Sequence, residues 1–389
     1  MIETISATHL ADRIDRGDRF ALVDTRPADS YEAWHAPGAR HFPFEPTEAL
    51  DARFDELEAL IGDDDEVVTI CGKGVSSGTL GAHLARSTDA YDVTAVAGGM
   101  NDWSTVYHEV SVPLEGPRAP QGGLEVVQLQ RRAKGCLSYL IADTDAKAAI
   151  VVDATADTDQ VLLAAGARGL AIEGVIDTHV HADHVSGGPA LADRLGVPYY
   201  LPEQALGRAV HHDFEALADG QVLTVGDVEV EVRHTPGHTS EMISLVVDDR
   251  AVCTADTLHV DSVGRTELEF GEADAERGAR LLHGSLHEQL HSLPGDAVVL
   301  PGHVAVGTDG AFRSGSPRTP ITTTIGEAWQ SIEALSLDED DFVEMLADAG
   351  AKPTNYEEIL TVNRGVEGQP EPSDRVTLEI GPNNCSAGS

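Results

Sequence analysis

The stretch from Thr178 to His184, THVHADH, places His179, His181, Asp183 and His184 within six positions, directly after the apolar run GVID. Three imidazoles and a carboxylate crowded together would repel or stay unsatisfied, whereas a divalent metal takes neutral imidazoles and ionised carboxylates as ligands. Further along, RHTPGHTSEM supplies His238, TADTL supplies Asp256 and LPGHV supplies His303, each just past a run that reads as a strand. Any one of these alone carries little weight. Seven ligand-type residues at successive strand ends point to one metal centre, since strand-end loops are where scaffolds gather functional side chains. His9, His83, His108, His211, His212, His283, His287 and His291 read instead as surface or capping residues; His234 and His259, close to the motifs, have a role behind the ligands open to them, and the bystander reading is preferred.

A second reactive feature lies nearer the N-terminus. Cys71 follows the apolar run VVTI and precedes GKGVSSGTLGAHLA, so a strand ends at the thiol and a Gly-rich turn opens a helix. Backbone N–H groups of that turn, the helix N-terminus and Lys73 all favour thiolate, the form that attacks sulfur. The plainer reading is a small buried hydrophobe at a strand end. Asp24 and Arg26 read as a structural ion pair rather than as catalysts. Cys71, Cys136, Cys253 and Cys385 show no paired spacing, which argues for free thiols in a reducing compartment.

These residues need elements to position them. Residues 1–110 alternate short apolar runs (FALVDTR, EVVTIC, DVTAVAGG) with helix-like stretches, the rhythm of a parallel α/β domain. Residues 111–123 carry the Pro- and Gly-rich VPLEGPRAPQGG and read as a linker. In residues 124–309, LEVVQLQ, LSYLIAD, AAIVVDA, GVIDTHVH, EVEVRHT, MISLVVD, AVCTAD and AVVLPGH read as strands, with helices between them. Residues 310–365 read as a helical extension, and 366–389 as a polar tail with poor order.

Composition bounds the partners. The 389 residues include 66 Asp plus Glu against 26 Lys plus Arg, a net charge of −40, with lysine only at 73, 134, 147 and 352. Such a field repels nucleic acid and anionic lipid, and it suits a protein kept hydrated in concentrated salt, as in a haloarchaeal cytosol. There is no apolar run of membrane-spanning length and no secretory pattern at the N-terminus, so a cytoplasmic location without membrane partners is expected.

DTRP at Asp24–Pro27, YEAWHAPGAR at Tyr31–Arg40, CGKGVSS at Cys71–Ser77 and AGGMNDW at Ala97–Trp103 resemble, in this order, the rhodanese family. The resemblance implies that Cys71 takes up sulfane sulfur as a persulfide inside a loop formed with Gly72, Lys73, Gly74, Val75 and Ser76. Ser76 stands where many relatives carry Arg, which leaves the sulfur donor open. HxHxDH, PGHT, the Asp-Thr strand end and PGH resemble the metallo-β-lactamase fold and its glyoxalase II-like branch. The expected fold class is therefore α/β: a rhodanese-like parallel domain followed by an αβ/βα metallo-β-lactamase sandwich.

Two chemistries fit that ligand set. Two Zn(II) per chain bridged by Asp256 would activate water for thioester hydrolysis, as the glyoxalase II resemblance implies. The persulfide dioxygenase branch instead implies one Fe(II) per chain on His179, His238 and Asp256, a two-His-one-carboxylate face, with His181, Asp183, His184 and His303 around it. The flanks CLSYLIAD, SVGRTELEF, SLHEQLHSLPGDAVVLPGH and KPTNYEEILTVNRG resemble the dioxygenase branch, and the C-terminal segment lacks a clear basic cluster for gripping glutathione's carboxylates. Fusion to a sulfur-carrying cysteine favours the same branch, because tethering concentrates a shared persulfide. The expected reaction consumes a low-molecular-weight thiol persulfide and O2 and yields sulfite plus thiol. Cys71 would load the carrier thiol beforehand or pass sulfane sulfur to sulfite, making thiosulfate. Relatives of the metal domain often form homodimers or higher homo-oligomers.

Overall fold

A computed structural model describes residues 2–114, 123–346, 355–366 and 375–379. Strands β1 (Glu3–Ile5), β2 (Ala21–Asp24), β3 (Ala39–His41), β4 (Glu66–Ile70) and β5 (Asp92–Val96) form one parallel sheet in the order β1-β5-β4-β2-β3. Helices α1 (Ala7–Arg16), α2 (Ala28–Ala33), α3 (Phe54–Ile61), α4 (Val75–Ser87) and α5 (Gly99–Trp103) connect and flank these strands. Their cores are near-continuous apolar runs, as strands covered on both faces require: β2 is buried at every position. Two clusters result, one around Trp34, Trp103 and Leu10, the other around Phe42, Leu57 and Leu80.

The second unit is a sandwich. Strands β6 (Tyr107–Val112), β7 (Leu124–Arg131), β8 (Leu137–Asp143), β9 (Ala148–Val152), β10 (Ala171–Ile176), β11 (Tyr199–Pro202) and β12 (Glu215–Leu217) form a seven-stranded sheet in reverse chain order. Strands β13 (Val222–Val225), β14 (Val228–His234), β15 (Ile243–Val247), β16 (Ala251–Ala255), β17 (Val298–Pro301) and β18 (Thr323–Thr324) form the facing sheet. Val126, Tyr139 and Ile150 of one sheet and Val230, Leu245 and Leu300 of the other share a single buried layer. Helices α6 (Asp159–Arg168) and α7 (Gly188–Leu195) cover the outer face of the first sheet. Helices α8 (Glu267–Gly284), α9 (Ile325–Ser331) and α10 (Glu339–Leu346) cover the second, and α11 (Tyr356–Asn363) packs Leu360 back under the first. This is the expected αβ/βα arrangement.

One boundary differs from the expectation. Residues 107–110, assigned above to the first domain, belong to β6, which pairs antiparallel with β7 from Tyr107 opposite Arg131 to Val112 opposite Val126. Its alternation, with His108, Val110 and Val112 buried between more exposed residues, is that of an edge strand with one face covered, so the sandwich begins at Tyr107. Most of the expected linker, and the tail beyond Glu379, lie outside the described residues. Within the tail, Val376–Glu379 forms a 3-10 turn, and Glu379 is buried because its carboxylate meets Arg131. Among the described residues no helix is long and apolar enough to cross a membrane.

Candidate metal centre and cysteine loop

Each ligand-type residue leaves the end of a strand. His179, His181, Asp183 and His184 follow β10, His238 follows β14, Asp256 is the first residue past β16 and His303 follows β17. All seven are buried. Two non-glycine residues beside these groups hold positive φ, Ala255 at 45° directly before Asp256 and Asp153 at 53° past the end of β9, the kind of local strain found at functional sites.

The fold brings the seven together in two sets. In the first, His179 Nε2 lies 3.8 Å and His238 Nε2 3.6 Å from Asp256 Oδ2. These separations are too long for hydrogen bonds and close to the roughly 3.0–3.5 Å between ligands of one ion at metal–ligand distances near 2.1 Å. The remaining atoms of these side chains are tied from behind. His179 Nδ1 meets Thr178 Oγ1 at 3.0 Å, His238 Nδ1 donates to the Arg265 carbonyl at 2.8 Å, and Asp256 Oδ1 meets His303 Nδ1 at 2.5 Å and His259 Nε2 at 3.2 Å. Such outer partners fix ring orientation and leave one atom of each ligand aimed inward.

In the second set, Asp183 Oδ2 meets His184 Nδ1 in a hydrogen bond at 3.0 Å and lies at ion-pair distance, also 3.0 Å, from His303 Nε2. Cys136 joins it: one ligand atom from each of Cys136, Asp183, His184 and His303 lies within 4.8 Å of the others. His181 turns Nε2 to Asp153 Oδ1 at 3.2 Å.

Electrostatics agree with a cation site. Burial, and then the neighbouring His181 and His238, hold the His179 imidazole well below its usual range, so it is neutral. His238 is lowered by burial as well, while Asp256 lies well below the carboxylate range because its contacts with His303 and the other histidines outweigh burial. Two neutral imidazoles and a carboxylate are the protonation states that ligands need. Burial opposes charge on His181, yet Asp153 raises it to about 9. His179 Nε2, His181 Nδ1, His184 Nε2 and Asp256 Oδ2 are buried with no hydrogen-bond partner among the described residues. Uncompensated, these atoms would each cost free energy, and an ion among them removes the cost. The donor set therefore fits a divalent metal.

Cys71 is not part of this cluster, and its sulfur is held by its own domain. Gly74 N donates to Sγ at 3.1 Å and Ser77 Oγ at 3.2 Å. Burial raises this thiol, but the Ser76 and Ser77 hydroxyls and the Ser77 and Lys73 N–H groups outweigh it and bring it below the ordinary value. Lys73 thus acts through its backbone, with its side chain exposed. Gly72, Gly74 and Val75 complete the turn; Gly74 sits at φ 83° as the N-cap of α4, and Thr25 Oγ1 meets Ser76 Oγ at 2.9 Å. Asp24 and Arg26 form a buried ion pair at 2.7 Å whose guanidinium also donates to the Trp34 carbonyl, a structural role.

Some residues escape sequence reading. His259, read above as a bystander, hydrogen-bonds Asp256, and only its position three residues downstream hints at this. His108, read as a surface residue, is buried against Asp15 at 2.8 Å. Asp153 and Cys136 flank strands β9 and β8, so an acid or thiol at a strand end was the available signal. Glu241, which accepts from Val180 N at 3.0 Å, Asn363 and Glu379 carry no local signal at all.

Comparison with known proteins agrees with this architecture. Residues 131–303 match the metallo-β-lactamase superfamily and residues 6–105 the rhodanese-like domain. The chain is 30% identical over 171 residues to the human mitochondrial persulfide dioxygenase ETHE1, covering 43% of this chain and 63% of that protein. An uncharacterised protein of Mycobacterium leprae is 32% identical over 210 residues, covering 47% of this chain and 92% of its own length. The crystal structure of ETHE1 from Myxococcus xanthus is 26% identical with a TM-score of 0.53, covering 61% of this chain and 96% of that one. Two strand-end ligand sets inside a sandwich, preceded by a cysteine-loop domain, thus have named counterparts: residues 131–303 carry a metallo-β-lactamase superfamily domain and residues 6–105 a rhodanese-like domain ahead of it.

Proposed function

We propose that this chain is a sulfur-metabolism enzyme, an iron-dependent dioxygenase that converts a low-molecular-weight thiol persulfide, O2 and water to thiol and sulfite. The observation that carries the reading is the open face of His179 Nε2, His238 Nε2 and Asp256 Oδ2, two imidazoles and one carboxylate oxygen that converge with no hydrogen bond between them while their other ring nitrogens and oxygen are tied from behind. Relatives named persulfide dioxygenase support it. Fe(II) held by these three groups would keep positions open for a sulfur anion and O2 and would supply the electrons that activate oxygen.

The protein's own part is orientation and exclusion of water. Thr178, Arg265 and His303 lock the three ligands from behind, and Asp153 holds His181. Asp183 and His303 hold each other beside Asp256, and this polar wall keeps the carboxylate's second oxygen occupied. In the first domain, the donors around Cys71 Sγ favour a sulfur anion there, so Cys71 carries sulfane sulfur as a persulfide and exchanges it with the carrier thiol or with sulfite.

Metal analysis of anaerobically purified protein, paired with O2 uptake on adding a thiol persulfide, tests the reading. About one iron per chain with sulfite formed is the expected result. A specific observation favours a second reading, a dinuclear zinc thioester hydrolase: Cys136, Asp183, His184 and His303 are themselves four clustered donors of zinc type. Two zinc ions per chain, thioester hydrolysis and no O2 uptake would establish that reading instead.

A further inference from the structure

The loop from His179 to His184 bears four ligand-type residues; Glu241 holds its start at Val180 N, and what fixes the backbone from His181 onward comes from the far end of the chain. Asn363, at the end of α11, donates from Nδ2 to the carbonyls of both His181 and His184, each at 2.8 Å, and accepts from Ser186 N at 2.9 Å. Glu379 Oε1 accepts from Val185 N at 2.8 Å. Arg131 grips the same carboxylate, Nη1 to Oε1 at 2.9 Å and Nη2 to Oε2 at 3.4 Å, and Lys134 Nζ donates to the Glu379 carbonyl at 2.8 Å. Asn355 Nδ2 holds the turn one residue earlier, at the Leu378 carbonyl.

Stability does not account for this arrangement. Arg131 is 2% and Glu379 1% exposed, and a fully buried ion pair costs so much desolvation that apolar replacements of similar volume are often as stable. What Asn363 and Glu379 do accomplish is local. Between His181 and Ser186 they satisfy four backbone groups of the loop, two carbonyls and two N–H groups, that no sheet ladder reaches.

We infer that Asn363 and Glu379 are positioning residues of the metal centre, so that the C-terminal segment completes the site by clamping the backbone that carries His181, Asp183 and His184. With the clamp closed, the ligands are presented in one geometry, and with it open the loop must be ordered at the expense of metal affinity. The inference rests on metal binding by this loop and is independent of whether iron, O2 or a persulfide is involved.

Cobalt(II) tests it on the full chain, because its visible absorption reports ligand geometry without turnover. In Glu379→Gln and Asn363→Asp, Co(II) affinity, read by competition with a chelating dye, is expected to fall about 10- to 100-fold, with altered visible bands. Circular dichroism and melting of the metal-free chains establish that each variant is folded, and if Glu379→Gln is not, because Arg131 is left uncompensated, Asn363→Asp decides. Wild-type affinity and spectrum in a folded variant overturn the assignment for that residue. Lack of O2 uptake by the iron-loaded chain would sink the dioxygenase reading alone, whereas lack of Co(II) binding by the unmutated chain would overturn both.

Discussion

Ser77 Oγ lies 3.2 Å from Cys71 Sγ, inside the first turn of the helix that follows the cysteine loop. Burial would raise this thiol, and the hydroxyl and N–H donors of the turn bring it below its ordinary value instead. A lowered value means that thiolate persists at pH where an ordinary cysteine is protonated, so removing a donor must move the transition upward. In Ser77→Ala the pH midpoint of Cys71 alkylation by iodoacetamide is therefore expected to rise, measured on a background lacking the other cysteines. An unchanged midpoint would show that Ser77 does not tune the sulfur.

Gly99 gives a steric test of the same loop. A Cβ there would stand 2.1 Å from the Cys71 carbonyl oxygen, and the residue already holds φ 61°, a conformation costly for other residues. The neighbouring Met100 N donates to that carbonyl at 2.8 Å, so the start of α5 and the cysteine turn are packed as one piece. Gly99→Ala is expected to lower sulfur transfer, measured as thiocyanate formation from a sulfane donor, by more than about tenfold while leaving metal content unchanged. Wild-type transfer in the variant would mean that the loop can move without consequence.

How much of this was legible in the sequence follows from where each partner sits. His179, His181, Asp183 and His184 announce themselves because the chemistry demands them within one loop, and the fold class follows from strand-like runs ending at ligands. Arg131 and Glu379 stand 248 positions apart and Asn363 and His181 182 apart, so their pairing exists only once the chain is folded. Glu379 falls in a stretch that reads as a polar tail, because a carboxylate among polar residues carries no sign of burial. The boundary at β6 is hidden in the sequence for a different reason. YHEVSV alternates correctly for an edge strand, but it runs straight into a Pro- and Gly-rich stretch, and only its pairing with β7 assigns it to the sandwich.

Separate substitutions should divide the two chemistries. Asp256 provides Oδ2 to the open face and is the carboxylate between His179 and His238, so Asp256→Ala is expected to lose bound iron and all O2 uptake while sulfur transfer at Cys71 persists. Cys71→Ser should do the reverse, since its sulfur is held entirely by first-domain residues. Metal content, O2 consumption and thiocyanate formation on both variants check this. Loss of O2 uptake in Cys71→Ser at full iron occupancy would refute the division of labour.

A buried ionic contact joins the two units. Asp15 of α1 sits between His108 of β6, at 2.8 Å, and Arg132, at 3.1 Å, and Arg132 also donates to the Gly310 carbonyl. Asp15 and Arg132 are almost fully buried, so removing one partner leaves the other charge uncompensated. Asp15→Asn is expected to cost about 3–5 kcal/mol in urea unfolding at neutral pH. The pH dependence follows from the direction of the shift. Burial raises the Asp15 carboxyl, but the bonds from His108 and Arg132 outweigh it and leave the folded value below the ordinary 3.8. The contribution is therefore complete above the unfolded value and disappears as pH falls through the lower folded one. The gap between wild type and Asp15→Asn should accordingly be constant from pH 6 to 8 and narrow on acidification below about 4. A gap that persists undiminished at the acid end would assign the loss to packing rather than to the carboxylate.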